Sequence, residues 1–276
     1  MTNRPTIRLV AADMDGTLLN DASEVSQGNT RAIHAAQEKG VIFAICSGRF
    51  PENAAITARD GGLECPIIAL NGGCITERTY GDLIVAHPMP PDTALTVFHM
   101  LEEIGALFFL FGRKTVITRK ANHVHHSQTK YGSRLISEAG VSYHFGLDAC
   151  RRALEEDVFK YYVYTAPGFA SLETIRGRLQ GVSSIQLTQS SNTNIEIMPP
   201  GIDKATGLKE LADYHGIPLS ETMALGDQDN DIPMLLEAGL SVAMENAEPH
   251  VKAIAKVVTA SNTQDGVAKA LYDYVL

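Results

Sequence analysis

The sequence predicts an α/β fold, with a Rossmann-like doubly wound parallel sheet as its core and a smaller α/β unit inserted into it. Short apolar runs alternate with amphipathic segments, as in repeated strand-helix-strand units. The core strands are apolar throughout, which suits a parallel sheet covered by helices on both faces. Polar residues directly follow several of these strands, at Asp13, Ser47, Asn71 and Asp227. In such a sheet these side chains meet at one edge, where ligands bind.

Composition restricts the partners that we expect. The chain has 276 residues, 45% of them hydrophobic, which is enough for one large domain or two ordinary ones. Its net charge of −9 argues against a broad surface for nucleic acid or anionic membranes. The four cysteines form no CxxC pair, and no signal-peptide pattern or apolar run of about 20 residues is present. We therefore expect a cytoplasmic protein that has neither nucleic acid nor a membrane as its partner; its oligomeric state is not predicted.

The first part of the core contains three strands and the helices between them. An apolar strand at residues 7–12 precedes a helix at residues 27–39, for which Ser26 is the expected N-cap and Gly40 the expected stop. The segments "VIFAICSGR" and "PIIALNGG" are read as the second and third strands. This part of the core is predicted to occupy residues 1–82.

The same pattern resumes after a long interruption. We expect a helix at residues 204–215, a strand in "TMALGD", a helix at residues 232–238, strands in "SVAM" and "KVVTA", and a final helix. Residues 199–276 are therefore predicted to complete the core.

The interruption, residues 83–198, is predicted to be a separate cap, or lid, domain. The runs "ALFFLFGRKTVITR" and "IQLTQSSNTNIEI" alternate in the manner of antiparallel hairpins. Each follows a predicted helix, and each helix follows a strand-like segment, "DLIVAH" or "VFKYYVYT". A βαββ unit is therefore expected twice.

The carboxylates at the sheet edge predict a metal site. Four of them, Asp13, Asp15, Asp227 and Asp231, would repel one another unless cations offset their charge. The sequence offers Lys204 as one cation, which leaves most of that charge unbalanced. Oxygen ligands without histidine or thiolate favour a hard ion, and Mg²⁺ fits best.

Four motifs resemble those of a known family. The segments "DMDGTLL" and "CSGR", the lysine of "GIDKATGL" and the segment "GDQDND" are similar, in order and spacing, to the motifs of the haloacid dehalogenase superfamily. The similarity extends over the whole chain and is greatest to the Cof-like sugar-phosphatase branch, which carries a large cap between the second and third motifs. The resemblance implies a Mg²⁺-dependent phosphohydrolase of small phosphorylated metabolites, acting through an aspartyl-phosphate.

The resemblance implies a role for each matched residue. Asp13 would be the nucleophile, and Asp15 would protonate the leaving group and then activate water. Ser47 and Lys204 would bind the phosphoryl group. The full expected sets are as follows: phosphate binding by Met14, Ser47, Gly48, Lys204 and Asn230; metal binding by Asp13, Asp15, Asp227 and Asp231, the last directly or through water; and substrate contacts from Arg49 and Asn71.

Other functions remain open from the sequence. A phosphomutase or other phosphotransferase would use the same covalent step with a sugar hydroxyl as acceptor. A receiver-like signalling module also uses a strand-end aspartate, a hydroxyl residue and a lysine. Asp15 argues against the signalling module, because a long-lived phosphate needs no acid/base two residues after its nucleophile.

Overall fold

A computed structural model describes residues 6–119, 130–190 and 193–276 of the chain. The chain forms two compact units, one made of Met1–Ala86 with Asp203–Leu276 and the other of His87–Ile202. The division falls at residues 86 and 202, each four residues after the expected boundaries at 82 and 198. No helix among the described residues is long and apolar enough to cross a membrane.

The first unit is built on an eight-stranded sheet. Its strands have the order β14-β13-β12-β1-β2-β3-β4-β5, in which β1 to β3 and β12 to β14 are parallel and β4 and β5 are antiparallel additions. The strands are β1 (Leu9–Ala12), β2 (Ile42–Cys46), β3 (Ile67–Ala69), β4 (Cys74–Thr76), β5 (Leu83–Ala86), β12 (Thr222–Gly226), β13 (Leu240–Ala243) and β14 (Val257–Val258).

Strand β1 lies in the middle of the sheet, which confirms the doubly wound prediction. Leu9 is in register with Ile42 of β2 on one side and with Thr222 of β12 on the other. All four residues of β1 are completely buried, as expected of a central parallel strand. The chain therefore enters the sheet at its centre and winds outward in both directions.

In the described part of the first unit there are six α-helices: α1 (Gln27–Glu38), α2 (Pro51–Asp60), α7 (Lys204–Tyr214), α8 (Ile232–Glu237), α9 (Pro249–Ile254) and α10 (Gly266–Tyr274). Ser26 caps α1 as predicted, because its hydroxyl accepts a hydrogen bond from the Asn29 N–H at 3.0 Å. The Asn29 side chain in turn accepts a hydrogen bond from the Ala268 N–H at 2.8 Å, which fixes α1 against α10.

The second unit has a six-stranded sheet in the order β10-β11-β9-β6-β7-β8. Its main apolar core joins one face of this sheet to three of its four described helices. The strands are β6 (Leu107–Phe111), β7 (Thr115–Thr118), β8 (Ser142–Phe145), β9 (Lys160–Tyr164), β10 (Gln186–Thr188) and β11 (Asn194–Met198). The helices are α3 (Pro91–Glu103), α4 (Lys130–Ala139), α5 (Leu147–Ala153) and α6 (Leu172–Leu179).

One element lies in a different unit from the one predicted. Leu83–Ala86 was expected to open the inserted unit, but it pairs with β4 as the edge strand of the first sheet. Only the second expected βαββ unit, β9-α6-β10-β11, is complete. The physical reason is that β4 and β5 are joined by a short connection and pair locally, and the sequence of an edge strand does not specify which sheet it joins.

Candidate active site

The turn after β1 closes around the carboxylate that follows β12. Asp13 is buried at the end of β1, and its N–H donates to the Leu225 carbonyl at 3.0 Å. Gly16 has φ +82°, and a Cβ atom there would lie 2.3 Å from Asp227 Oδ2. The Thr17 hydroxyl donates to Asp227 Oδ1 at 2.9 Å. Only glycine permits this approach, so the "DMDGT" turn places Asp13 and Asp227 in one cluster.

Lys204 links the carboxylates of this cluster. It is the first residue of α7 and is completely buried, and its Nζ donates to Asp13 Oδ1 at 2.5 Å and to Asp231 Oδ1 at 2.6 Å. Asp203 caps the helix, because its side chain accepts hydrogen bonds from the N–H groups of Ala205 at 2.9 Å and Thr206 at 3.0 Å. The cap fixes the start of α7 and therefore the origin of the lysine side chain.

Two glycines that the sequence analysis did not single out allow the start of α7 to pack closely against β3 and the turn that follows it. A Cβ atom at Gly72, whose φ is +91°, would lie 2.1 Å from the Asp203 carbonyl oxygen. A Cβ atom at Gly207 would lie 2.3 Å from Ile68 Cγ2. The "NGG" segment after the third strand was the available signal, because paired glycines mark close backbone approach.

Asp231 has both carboxylate oxygens engaged by the protein. Oδ1 accepts from Lys204, and Oδ2 accepts from the N–H groups of Asp227 at 2.8 Å and Gln228 at 3.0 Å. Gly226 leaves room for it, because a Cβ atom there would lie 2.4 Å from the Asp231 Cβ. Asp231 therefore holds the loop that carries Asp227 and orients Lys204.

The cluster carries more negative charge than the protein balances. One carboxylate oxygen from each of Asp13, Asp227 and Asp231 lies within 4.8 Å of the others, whereas Lys204 supplies one positive charge. Burial and the Asp231 carboxylate raise the pKa of Asp227 to about 7. Burial also raises the pKa of Asp13 well above its ordinary value, despite the opposing effect of Lys204. An all-oxygen, charge-deficient cluster of this kind fits a hard divalent cation.

Ser47, Asn71 and Asn230 also come together, at the ends of β2 and β3 and in the turn that carries Asp231. The Asn71 N–H donates to the Ser47 carbonyl at 3.0 Å, and Asn230 Nδ2 donates to Asn71 Oδ1 at 3.3 Å. Asn71 adopts the left-handed conformation with φ +54°, which turns the chain away after β3. Ser47 and Asn71 are almost fully buried, and Gly48 directly follows Ser47 on the way to α2.

Asp15 lies apart from the three clustered carboxylates. Its side chain is 58% exposed, and both of its oxygens accept hydrogen bonds from Arg49, from Nε at 2.8 Å and from Nη2. Arg49 also donates from Nη1 to Asn53 at 3.2 Å. Of the four expected metal ligands, the structure groups Asp13, Asp227 and Asp231, and it places the Asp15 carboxylate against Arg49 instead. Met14, between Asp13 and Asp15, is completely buried.

The raised pKa of Asp227 predicts that any stabilisation of the protein by an added divalent cation depends on pH. A carboxyl group with a raised pKa in the folded state contributes stability at low pH that is lost as the pH rises through about 7. A cation that binds ionised carboxylates offsets this loss. We expect the increase in Tm caused by Mg²⁺ to be larger at pH 8 than at pH 6, measured by differential scanning fluorimetry. An equal increase in Tm at pH 6 and pH 8 would contradict a raised pKa at Asp227. In Asp227→Asn, the Tm increase should no longer differ between the two pH values.

Comparisons with known proteins all point to the same protein family. The model of the haloacid dehalogenase-like hydrolases matches residues 10–271. The chain is 32% identical over 270 residues to the 5-amino-6-(5-phospho-D-ribitylamino)uracil phosphatase YcsE of Bacillus subtilis, covering 98% of this chain and 96% of that protein. It is 26% identical over 273 residues to the pyridoxal phosphate phosphatase YbhA of Escherichia coli, covering 98% of this chain and 100% of that protein.

Solved structures with the same fold include two that extend over nearly the whole chain. A haloacid dehalogenase-like hydrolase from B. subtilis superposes with a TM-score of 0.83 at 26% identity, covering 96% of this chain and 99% of that one. The protein TM0651 from Thermotoga maritima superposes with a TM-score of 0.79 at 25% identity, covering 98% of each chain.

Proposed function

The chain belongs to the haloacid dehalogenase-like hydrolases of the Cof-like type and is a phosphatase of phosphorylated small molecules. From this premise we propose that it catalyses a Mg²⁺-dependent reaction through an aspartyl-phosphate on Asp13. The observation that carries the proposal is the buried hydrogen bond of 2.5 Å between Lys204 Nζ and Asp13 Oδ1, inside a cluster of three carboxylates. Burying a carboxylate among like charges at a strand end costs folding free energy, and such carboxylates are typical of functional sites.

Asp13 is the proposed nucleophile. Lys204 holds Oδ1 in place, and no hydrogen bond to Oδ2 from the described residues is present. In the first step a carboxylate oxygen of Asp13 forms a bond to phosphorus while the bond from phosphorus to the ester oxygen breaks. In the second step water attacks phosphorus, the bond from phosphorus to Asp13 breaks, and free phosphate leaves. Lys204 stays charged, because Asp13 and Asp231 raise its pKa against the opposing effect of burial.

Asp15 is the proposed proton donor and acceptor. It gives a proton to the departing ester oxygen in the first step and takes one from the attacking water in the second. Arg49 occupies both Asp15 oxygens in the structure. Each carboxylate oxygen can accept a second hydrogen bond, so the contact with Arg49 leaves room for the proton that Asp15 transfers.

The proposed cofactor is Mg²⁺, held by the carboxylates of Asp13 and Asp227. Asp231 orients this pair, because Lys204 and two backbone N–H groups already occupy its oxygens. When bound, the ion would supply positive charge to offset the negative charge of the phosphoryl oxygens. The direct participation of Asp15 and Asp231 in metal binding remains a prediction from the sequence.

The phosphoryl oxygens are assigned to donors around Asp13. Lys204 supplies its ammonium group, and the Ser47 hydroxyl, which accepts a hydrogen bond from the Arg49 N–H at 3.2 Å, keeps its own proton to donate. Asn230 supplies an amide N–H. We assign the backbone N–H groups of Met14 and Gly48 to the same task; all these groups would stabilise charge that develops in the transition state.

The substrate is proposed to be a small phosphorylated metabolite, a sugar phosphate or a similar compound. Named relatives act on a phosphorylated ribitylaminouracil and on pyridoxal phosphate. The groups around Asp13 address only the phosphoryl group, which every phosphate ester shares. We therefore assign the choice of leaving group to the second unit, His87–Ile202, acting as a cap. The direct test of the substrate is a screen of phosphorylated metabolites for phosphate release.

Activity is expected to require a hard divalent ion. Phosphate release should stop in EDTA and return with excess Mg²⁺, whereas Ca²⁺ should support little activity because its larger and irregular coordination shell misaligns the reacting groups. The measurement is phosphate release from an activated aryl phosphate at matched ion concentrations. Full activity in EDTA would contradict the proposed cofactor. Asp227→Ala should raise the Mg²⁺ concentration needed for half-maximal activity more than Asp231→Ala does.

A further inference from the structure

Arg49 holds the exposed carboxylate of Asp15 by a bidentate contact. The Asp15 side chain is 58% exposed, and Arg49 is the only donor to it in the part of the chain that the structure describes. An exposed side chain that nothing holds turns among several rotamers. A bidentate guanidinium instead fixes both the position and the plane of a carboxylate. Arg49 therefore determines the direction in which the Asp15 oxygens point.

Arg49 is itself held at its backbone and at its side chain. Its N–H donates to Ser47 Oγ at 3.2 Å, and its carbonyl accepts a hydrogen bond from the Leu70 N–H at 2.9 Å. Its remaining contact runs from Nη1 to Asn53 Oδ1 at 3.2 Å. The Arg49 guanidinium is therefore fixed between an acceptor on one side and the Asp15 carboxylate on the other.

Asn53 provides a rigid origin for this chain of hydrogen bonds. It lies in the first turn of α2, two residues after Pro51, and is 6% exposed. A proline at the first position of a helix has its φ angle already set for the helix, which stabilises this turn. Asn53 was not among the site residues expected from the sequence. Its side chain connects the start of α2 to Asp15 through Arg49.

We propose that Asn53 and Arg49 are positioning residues for proton transfer: Asn53 orients Arg49, and Arg49 orients the Asp15 carboxyl group toward the ester oxygen. This inference rests on the proposed role of Asp15. The Asp15 proton moves to the ester oxygen as the bond from phosphorus to that oxygen breaks. Arg49 acts through Asp15 in this assignment, whereas the sequence analysis expected it to contact the substrate.

Phenyl phosphate and 4-nitrophenyl phosphate test the proposal, because they share a ring but phenoxide is the poorer leaving group and depends more on a proton. Each ester is mixed with excess enzyme and Mg²⁺, and release of the phenol in a single turnover is followed by rapid quenching. The measured quantity is the ratio of the first-step rate constants, 4-nitrophenyl over phenyl. Because both esters react with the same enzyme, a change in the folded fraction cancels from this ratio.

The ratio should rise about tenfold in Arg49→Gln and in Asn53→Leu, because only the phenyl ester needs a well-placed proton donor. Asn53→Asp should keep the parent ratio, since its carboxylate still accepts from Arg49. Arg59→Gln is the matched control, because Arg59 lies on the same helix and contacts an exposed carboxylate, that of Asp60. It should leave the ratio unchanged.

Asp15→Asn separates failure of this inference from failure of the proposed function. It should raise the ratio at least as much as Arg49→Gln does, and combining the two changes should raise it no further. An unchanged ratio in Asp15→Asn would contradict the proposed proton transfer itself. A raised ratio there, with the parent ratio in Arg49→Gln or Asn53→Leu, would overturn the positioning role alone. Equal losses for both esters with a raised KM in Arg49→Gln would return Arg49 to substrate contact.

Discussion

Asp13→Asn is expected to lower kcat by at least about 1,000-fold while the fold stays intact. The amide fills nearly the same volume but is a poor nucleophile and a weaker ligand for a hard cation. It also removes one of three clustered carboxylates, of which Asp13 and Asp231 share the Lys204 ammonium group, so the variant should fold at least as stably as the parent without metal. The measurements are phosphate release from an activated aryl phosphate and thermal unfolding in EDTA.

Asp21→Asn is the matched control, because it makes the same chemical change at an exposed carboxylate a few residues later. Its activity and Tm should equal those of the parent. Activity of Asp13→Asn within tenfold of the parent would remove Asp13 from the role of nucleophile. A large loss of Tm in that variant would instead show that the carboxylate serves mainly to hold the fold.

Lys204→Met is expected to have the largest effect on stability. It leaves Asp13 and Asp231 without their buried cation, and breaking a buried pair by removing one partner typically costs about 3–5 kcal/mol. The free energy of unfolding in EDTA, from denaturant titration monitored by circular dichroism, should fall by that amount. Phosphate release should also fall steeply, because a donor to the phosphoryl oxygens is lost.

The double variant Lys204→Met/Asp231→Asn separates the two effects. Removing one uncompensated carboxylate should restore part of the stability but none of the activity. Lys209→Met, on the exposed side of α7, is the control and should change neither quantity. If Lys204→Met changed the free energy of unfolding by less than about 0.5 kcal/mol, the buried ion pairs would not have the structural weight assigned to them.

The sequence predicted the site best where it depends on parallel strands. Residues that follow β1, β2, β3 and β12 must lie at one edge of the sheet whatever the details of helix packing. The clustering of Asp13 with Asp227, and of Ser47 with Asn71, therefore depended only on the recognition of apolar strands. Similarly, Ser26 was identifiable as a helix cap because capping depends on local sequence.

The sequence could not predict contacts that depend on side-chain direction. Asp15 is two residues from Asp13, and this spacing alone does not show that its carboxylate turns outward to Arg49. Likewise, nothing local indicated that both oxygens of Asp231 would be used by Lys204 and backbone N–H groups. The edge strand Leu83–Ala86 was placed in the wrong unit, since strand pairing is a tertiary choice.

The most direct test of the account is to trap the phosphorylated enzyme. In Asp15→Asn, an activated aryl phosphate can still leave without protonation, whereas water is no longer activated to cleave the product of the first step. The variant is mixed with the aryl phosphate and Mg²⁺, quenched in acid and digested for mass spectrometry. The account predicts one phosphoryl group on Asp13, approaching one per protein molecule. A phosphoryl group on another residue such as Ser47, or none while the phenol is released at a sustained rate, would contradict it.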